Sequence, residues 1–129
     1  MENVQKIVAV VGSRSLMQAP GLAARLAELR AAGELDQVVS GGATGADSLA
    51  AAWCGANGVP LLVLRPDYAA HGPAAPHVRN AEIVRRAGLV LVCWDGQSRG
   101  TLSAARAAAR LGRRCEWLAA APPSGALGI

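Results

Sequence analysis

The chain has 129 residues, 52% hydrophobic and 17% charged, which is apolar enough for one compact domain and too short for two ordinary ones. Thirteen basic against nine acidic residues give a formal charge of +4, and every basic residue except Lys6 is an arginine, yet aromatics make up only 3% and Phe is absent. That shortage argues against an RNA-binding sheet of stacked aromatics, and three cysteines (Cys54, Cys93, Cys115) with no Cys-x-x-Cys pair argue against a disulfide framework and a zinc site.

Met1 to Lys6 carries charge of both signs and has no leader pattern. No apolar run is long enough to span a bilayer, so a cytoplasmic protein without membrane contact is expected. Ile7 to Val11 is a nearly continuous aliphatic run ending at Gly12, the pattern of a strand buried on both faces. Leu22, Leu26 and Leu29 recur at helical spacing between Pro20-Gly21 and Gly33, predicting an amphipathic helix. Gln37 to Ser40 is a second short strand closed by Gly41-Gly42; a helix opens near Ala46 or Asp47 and ends at Gly55 and Gly58. Val59 to Leu64 is a third strand. Pro66 to Val78, rich in Pro, Gly and Ala, reads as a long loop before a helix at Arg79 to Ala87. Leu89 to Trp94 is a fourth strand, Asp95 to Gly100 a turn cluster, Thr101 to Leu111 an Ala-rich helix and Arg114 to Leu118 a fifth strand. Residues 1–118 thus make one domain, and 119–129, with two prolines and two glycines, a flexible tail.

Strands alternating with helices require parallel pairing through right-handed crossovers, hence an α/β, three-layer, doubly wound sheet of about five strands in the order 3-2-1-4-5. Ligands of such sheets lie outside the carboxyl ends of the strands, so the loops there carry the candidate site.

After strand 1, Gly12-Ser13-Arg14 offers close backbone approach, a hydroxyl and a guanidinium that can fork onto phosphate oxygens; a tight turn with a solvated arginine fits those three residues equally well. After strand 2, Gly41, Gly42, Ala43, Thr44, Gly45 and Asp47 form a glycine-rich entrance to a helix, the composition of an anion nest. It is neither a Walker loop nor Gly-x-Gly-x-x-Gly. Thr44 or Asp47 can equally cap the helix, but capping alone does not explain three glycines. After strand 4, Asp95, Gly96, Ser98, Arg99, Gly100 and Thr101 repeat the recipe. Tyr68, Arg79 and Asn80 suit the face, phosphate and amide edge of a nucleotide, with Trp94 the other aromatic near that edge. His71 and His77 lack metal-ligand spacing and read as loop residues. Asp47, Asp67, Glu82 and Asp95 are carboxylates able to take ribose hydroxyls, a magnesium ion accompanying a phosphorylated ligand, or a general-base role. Arg106, Arg110, Arg113 and Arg114 form either a nucleic-acid patch or the solvated end of a helix.

Taken together, these residues resemble the SLOG superfamily, in particular its YspA-type, cpYpsA-related branch, with distant kinship to the DprA/Smf proteins and the lonely-guy phosphoribohydrolases. Four motifs carry the resemblance: Gly12-Ser13-Arg14, the run from Ser40 to Ala50, Asp67-Tyr68 with Gly72, Pro76 and Arg79-Asn80, and the run from Trp94 to Thr101. It covers about Ile7 to Leu118. The resemblance implies a Rossmann-like domain that binds a nucleotide or nucleotide-derived ligand, as sensor or as hydrolase, and commonly as a homodimer, for which the Ala-rich helix offers a flat surface. The hydrolases carry Gly-Thr-x-x-Glu; here Gly100-Thr101 is followed by Ala104 in the glutamate's place, and their Pro-Gly-x-Met-Gly pattern is missing. The first reading is therefore a binding module for a nucleotide-derived small molecule. The alternatives are an N-glycosidase acting on nucleoside monophosphates or NAD-like molecules, with no catalytic residue assignable, and DprA-like nucleic-acid binding, which the helical placement of the arginines disfavours.

Overall fold

A computed structural model describes residues 4–118. The strands are β1 (Ile7–Gly12), β2 (Gln37–Ser40), β3 (Leu61–Val63), β4 (Leu89–Cys93) and β5 (Arg114–Trp117). They form one parallel sheet in the order β3-β2-β1-β4-β5, with Val8 of β1 in register with Val38 on one side and Leu89 on the other. The helices are α1 (Pro20–Ala31), α2 (Ala46–Asn57), α3 (Tyr68–His71), α4 (Ala75–Arg86) and α5 (Arg99–Arg110). This is the Rossmann-like architecture that the alternation of strands and helices requires.

Successive side chains of a strand point to opposite faces, and β1 feeds two cores accordingly. Val8 and Val10 pack with Leu22, Leu26 and Leu29 of α1 and with Ala46, Ala50 and Cys54 of α2. Ala9 and Val11 face Ile83 and Val84 of α4 and the alanines of α5. Burying the central strands on both faces explains their unbroken aliphatic runs. The alanine face of α5 is part of this core: Ala104, Ala105, Ala107 and Ala108 are all buried, so it does not supply the flat association surface expected of it.

Residues 66–78 depart from the expected loop. Asp67 caps α3 by accepting the Ala70 N–H at 3.0 Å, a 3-10 turn spans Gly72–Ala74, and α4 begins at Ala75, four residues before Arg79. Pro76 lies in the first turn of α4, where its missing N–H would have had no intrahelical partner. Similarly α5 starts at Arg99 rather than Thr101, because the Ser98 hydroxyl accepts the Thr101 N–H and caps it. β3 is shorter than Val59 to Leu64: it pairs with β2 alone, over three residues, between Pro60 and Pro66. At the opposite margin β5 carries Arg114 and Glu116, and Glu116 receives a two-pronged hydrogen bond from Arg25 of α1. The expected tail, 119–129, lies outside the described residues. Among the described residues no helix is long and apolar enough to cross a membrane.

Candidate functional site

The sheet order makes the loops after β1 and β4 diverge, and a cleft of about 440 Å³ opens at the carboxyl ends of the strands between them, walled by α4 and α5. Val11, Ile83 and Ala104 line its apolar part. Gly12, Arg14, Gly41, Ala43 and Asp47 enter from the first two loops, Arg79 and Asn80 from α4, and Asp95, Ser98, Gly100 and Thr101 from the fourth. An adjoining lobe of about 310 Å³ shares Arg14, Gly41, Ala43 and Arg79 and adds Gly42, Thr44, Arg65 and Tyr68. Four of the residues expected at the site, Ser13, Gly45, Gly96 and Arg99, line neither space.

Ser13 and Gly45 hold the loops to one another instead. The Ser13 side chain is fully buried; its Oγ accepts the Asp95 N–H at 2.9 Å and lies 3.3 Å from Thr101 Oγ1, which donates to Ser98 Oγ at 3.0 Å. A chain of three hydroxyls therefore fastens the first loop to the fourth. Gly45 has φ +75° and ψ −128°, and a Cβ there would fall onto the Ser13 carbonyl oxygen and within 2.7 Å of Arg14 Cα. The same carbonyl accepts the Ala46 N–H at 3.2 Å, so the α2 entrance is pressed against the first loop.

The glycine nest is filled by the protein itself. Asp47, 7% exposed, accepts the Ala43 N–H at 3.1 Å and is also bonded by the Gly41 amide. Burial pushes its carboxyl above the ordinary carboxylate value; the Ala43 N–H, the Arg79 charge and the Gly41 N–H pull against that rise. Arg79 completes the frame: Nη1 donates to the carbonyls of Gly41 at 3.0 Å and Leu64 at 3.3 Å, and Nε to Asn80 Oδ1 at 2.9 Å. Burial weakens the hold of Arg79 on its proton and Asp47 strengthens it, but a guanidinium stays charged under all ordinary conditions. With Oδ1 taken by Arg79, the amide of Asn80 keeps its N–H donors for the cleft it lines.

Asp95 organises the fourth loop. Oδ2 accepts the Ser15 hydroxyl at 2.7 Å, and Oδ1 accepts the N–H groups of Gln97 and Ser98, each at 2.8 Å. Those donors hold its carboxyl far below the ordinary range, which suits a fixed acceptor and not a general base. Trp94, expected to stack on a base, is buried: its indole N–H donates to the Ser98 carbonyl at 3.0 Å and its ring meets Trp117 edge-to-face at 6.0 Å. Tyr68 remains as the exposed aromatic of the outer lobe. His77 pairs with Ser103 at 2.9 Å. Burial raises the Cys93 thiol to about 11, so it is no nucleophile at neutral pH. Among the described residues no three His, Cys, Asp or Glu side chains converge, and Asp47 and Asp95 are both engaged by loop N–H groups.

Arg65 was missed in the sequence. It lies two residues beyond β3, and the signal that marks it is its position past a strand's carboxyl end, masked by the proline beside it. Two arginines of the suggested nucleic-acid patch are engaged by the protein: Arg113 donates to the Val84 and Arg85 carbonyls at the end of α4, and Arg114 sits 3.9 Å from Glu116.

Residues 6–71, just over half of the chain, match the model of the YspA, cpYpsA-related SLOG family. Among solved structures, the fold is similar to that of DNA processing protein A (DprA) from Streptococcus pneumoniae, with a TM-score of 0.66 and 23% identity. That alignment covers 94% of this chain and 53% of the other, so this chain spans about half the length of that protein, and the likeness is one of fold. No curated protein matches the sequence.

Proposed function

The chain belongs to the YspA, cpYpsA-related SLOG family, and on that premise we propose that it binds a nucleotide or nucleotide-derived small molecule in the cleft at the carboxyl edge, as a sensor or ligand-binding module. The observation that carries this reading is the Arg79–Asn80 pair. One side chain fixes the other, leaving amide donors turned to a cleft whose opposite character, Val11, Ile83 and Ala104, suits the face of a base. Thr101 and Gly100 at the start of α5 add a hydroxyl and a helix N-terminus on the same wall.

Binding without turnover is favoured over N-glycosidic cleavage. Ala104 presents a methyl group to the cleft at the place where the hydrolases carry their glutamate, and the two carboxylates that line it are held by loop amides. The printed name of the structural neighbour concerns DNA processing. For this chain a small ligand is favoured, because the Arg113 guanidinium is taken up by carbonyls of the protein and Arg114 lies beside a carboxylate.

The test is a thermal-shift screen with mononucleotides, NAD, ADP-ribose and cyclic dinucleotides, followed by chromatography of each hit. A ligand at a hundredfold excess over its Kd stabilises by about 2.7 kcal/mol, which moves the melting temperature of a domain this size by roughly 10 °C. The expected hit is recovered intact, and its shift is lost in Asn80→Ala. Release of free base would move the assignment to the hydrolase; no shift with any compound, or a shift unchanged in Asn80→Ala, would reject the site.

A further inference from the structure

We propose that the outer lobe is a subsite for a second phosphate, and that Arg65 is the residue by which the protein distinguishes a nucleoside diphosphate from a monophosphate. This rests on the nucleotide-binding reading of the inner cleft and adds the number of phosphates and the direction in which they run.

The argument begins with the filled nest. A glycine loop at a helix entrance ordinarily binds phosphate through converging backbone N–H groups, but here Ala43 and Gly41 direct theirs to Asp47. Positive charge for a phosphate chain must then come from side chains, and the outer lobe holds three guanidinium groups: Arg14, Arg65 and Arg79. Two of them are anchored on consecutive carbonyls of the same loop, Arg79 Nη1 on Gly41 at 3.0 Å and Arg65 Nη1 on Gly42 at 3.5 Å, which sets them side by side. Arg14 faces them from the first loop, close enough for its charge to lower the proton affinity of Arg79. Among the described residues no carboxylate lines this lobe. Asp47, behind Gly41, offsets one of these three charges at most; the excess is relieved by an anion, and a guanidinium fork matches phosphate oxygens.

The two lobes differ in what they can take. The inner one has apolar walls and the Asn80 amide, and both carboxylates lie on its side; the outer one adds Arg65 and exposed Tyr68 to Arg14 and Arg79, which the two share. A nucleoside monophosphate seated in the inner cleft with its phosphate toward Arg14 and Arg79, the arginines common to both, leads its next phosphate into the outer lobe. Arg65 is exposed and held by a single long hydrogen bond, so it is able to close on that group without disturbing the fold.

The experiment is titration calorimetry of the full chain with adenosine and guanosine 5′-monophosphates and 5′-diphosphates. Wild type is compared with Arg65→Ala, Arg65→Gln and, as a control for net charge, Arg30→Ala on α1. Wild type is expected to prefer the diphosphate of the base it accepts. In both Arg65 variants that preference falls by about tenfold, the effect of one charge-assisted contact, while the monophosphate Kd changes by less than about twofold; Arg30→Ala keeps the full preference. Equal affinity of wild type for mono- and diphosphate, or a preference that survives both Arg65 variants, overturns the subsite while leaving nucleotide binding in the inner cleft intact. Failure of every nucleotide to bind wild type overturns both.

Discussion

Replacing Gly45 and Gly55 by alanine is expected to move stability in opposite directions, although the two lie ten positions apart at the entrance and near the end of the same helix. Gly45 adopts φ +75° and ψ −128°, a conformation nearly reserved for glycine, which costs an L-residue about 1–3 kcal/mol. Its new methyl would also collide with the Ser13 carbonyl and the Arg14 backbone. Those are main-chain atoms that cannot rotate aside, so the first loop must shift, and forcing extra volume into packed structure costs about 1–3 kcal/mol more. The sum, roughly 2–6 kcal/mol, is a large part of the roughly 5–15 kcal/mol that holds a domain folded. Gly55 is exposed inside α2 and a Cβ there meets nothing within 4 Å, so alanine gains about 0.5–1 kcal/mol from helix propensity. Urea unfolding followed by circular dichroism reads both. With a slope of about 1.5 kcal/mol/M, Gly45→Ala lowers the midpoint by roughly 1–4 M and Gly55→Ala raises it by roughly 0.5 M. A Gly45→Ala midpoint within about 0.5 M of wild type would refute the claim that these loops are pressed together.

Ser13→Ala strands the Asp95 N–H and breaks the hydroxyl chain to Thr101, and is expected to cost about 1–3 kcal/mol in urea unfolding; no loss would mean the hydroxyl serves the ligand and not the fold. The Asp95 carboxyl is held below its unfolded value by Ser15 and by the Gln97 and Ser98 amides, so the stability it lends is present at neutral pH and lost as pH falls below about 4. Melting curves from pH 6 to 2.5 should therefore fall less steeply for Asp95→Asn than for wild type, and parallel curves would contradict this assignment. Arg79→Ala removes donors from the Gly41 and Leu64 carbonyls and frees the Asn80 amide to turn; a loss of about 1–3 kcal/mol is expected together with loss of the nucleotide-dependent shift. Arg79→Lys should not restore the shift, because an ammonium lacks the fixed fork.

The order of the sheet was legible because each aliphatic run is bounded by glycine or by a helix of clear period, and parallel crossovers leave few topologies open. Contacts spanning many residues were not. Ser13 and Thr101 are 88 positions apart, and nothing in Gly12-Ser13-Arg14 shows that its hydroxyl turns inward to meet them. The glycines after β2 signalled close approach, but whether to a phosphate or to a neighbouring carboxylate depends on Asp47 folding back one helical turn. Pro73 and Pro76 hid the α3–α4 segment, since both sit at helix starts where proline is tolerated and where a reader of composition sees only a loop. Trp94 failed as a stacking residue for a similar reason: it follows directly on β4 and lies over the α5 core, and its indole N–H has a carbonyl to satisfy.

The two margins of the sheet bear on how this protein behaves in company. An uncovered edge is a row of unpaired amides on which a stranger's strand can crystallise, and proteins blunt that hazard with brevity, charge and proline. β3 is three residues long and begins beside Pro60, which has no amide hydrogen to offer; β5 alternates Arg114 and Glu116 through its four residues. Among the described residues neither margin is a template for sheet growth, and a concentrated solution is expected to remain free of fibrils.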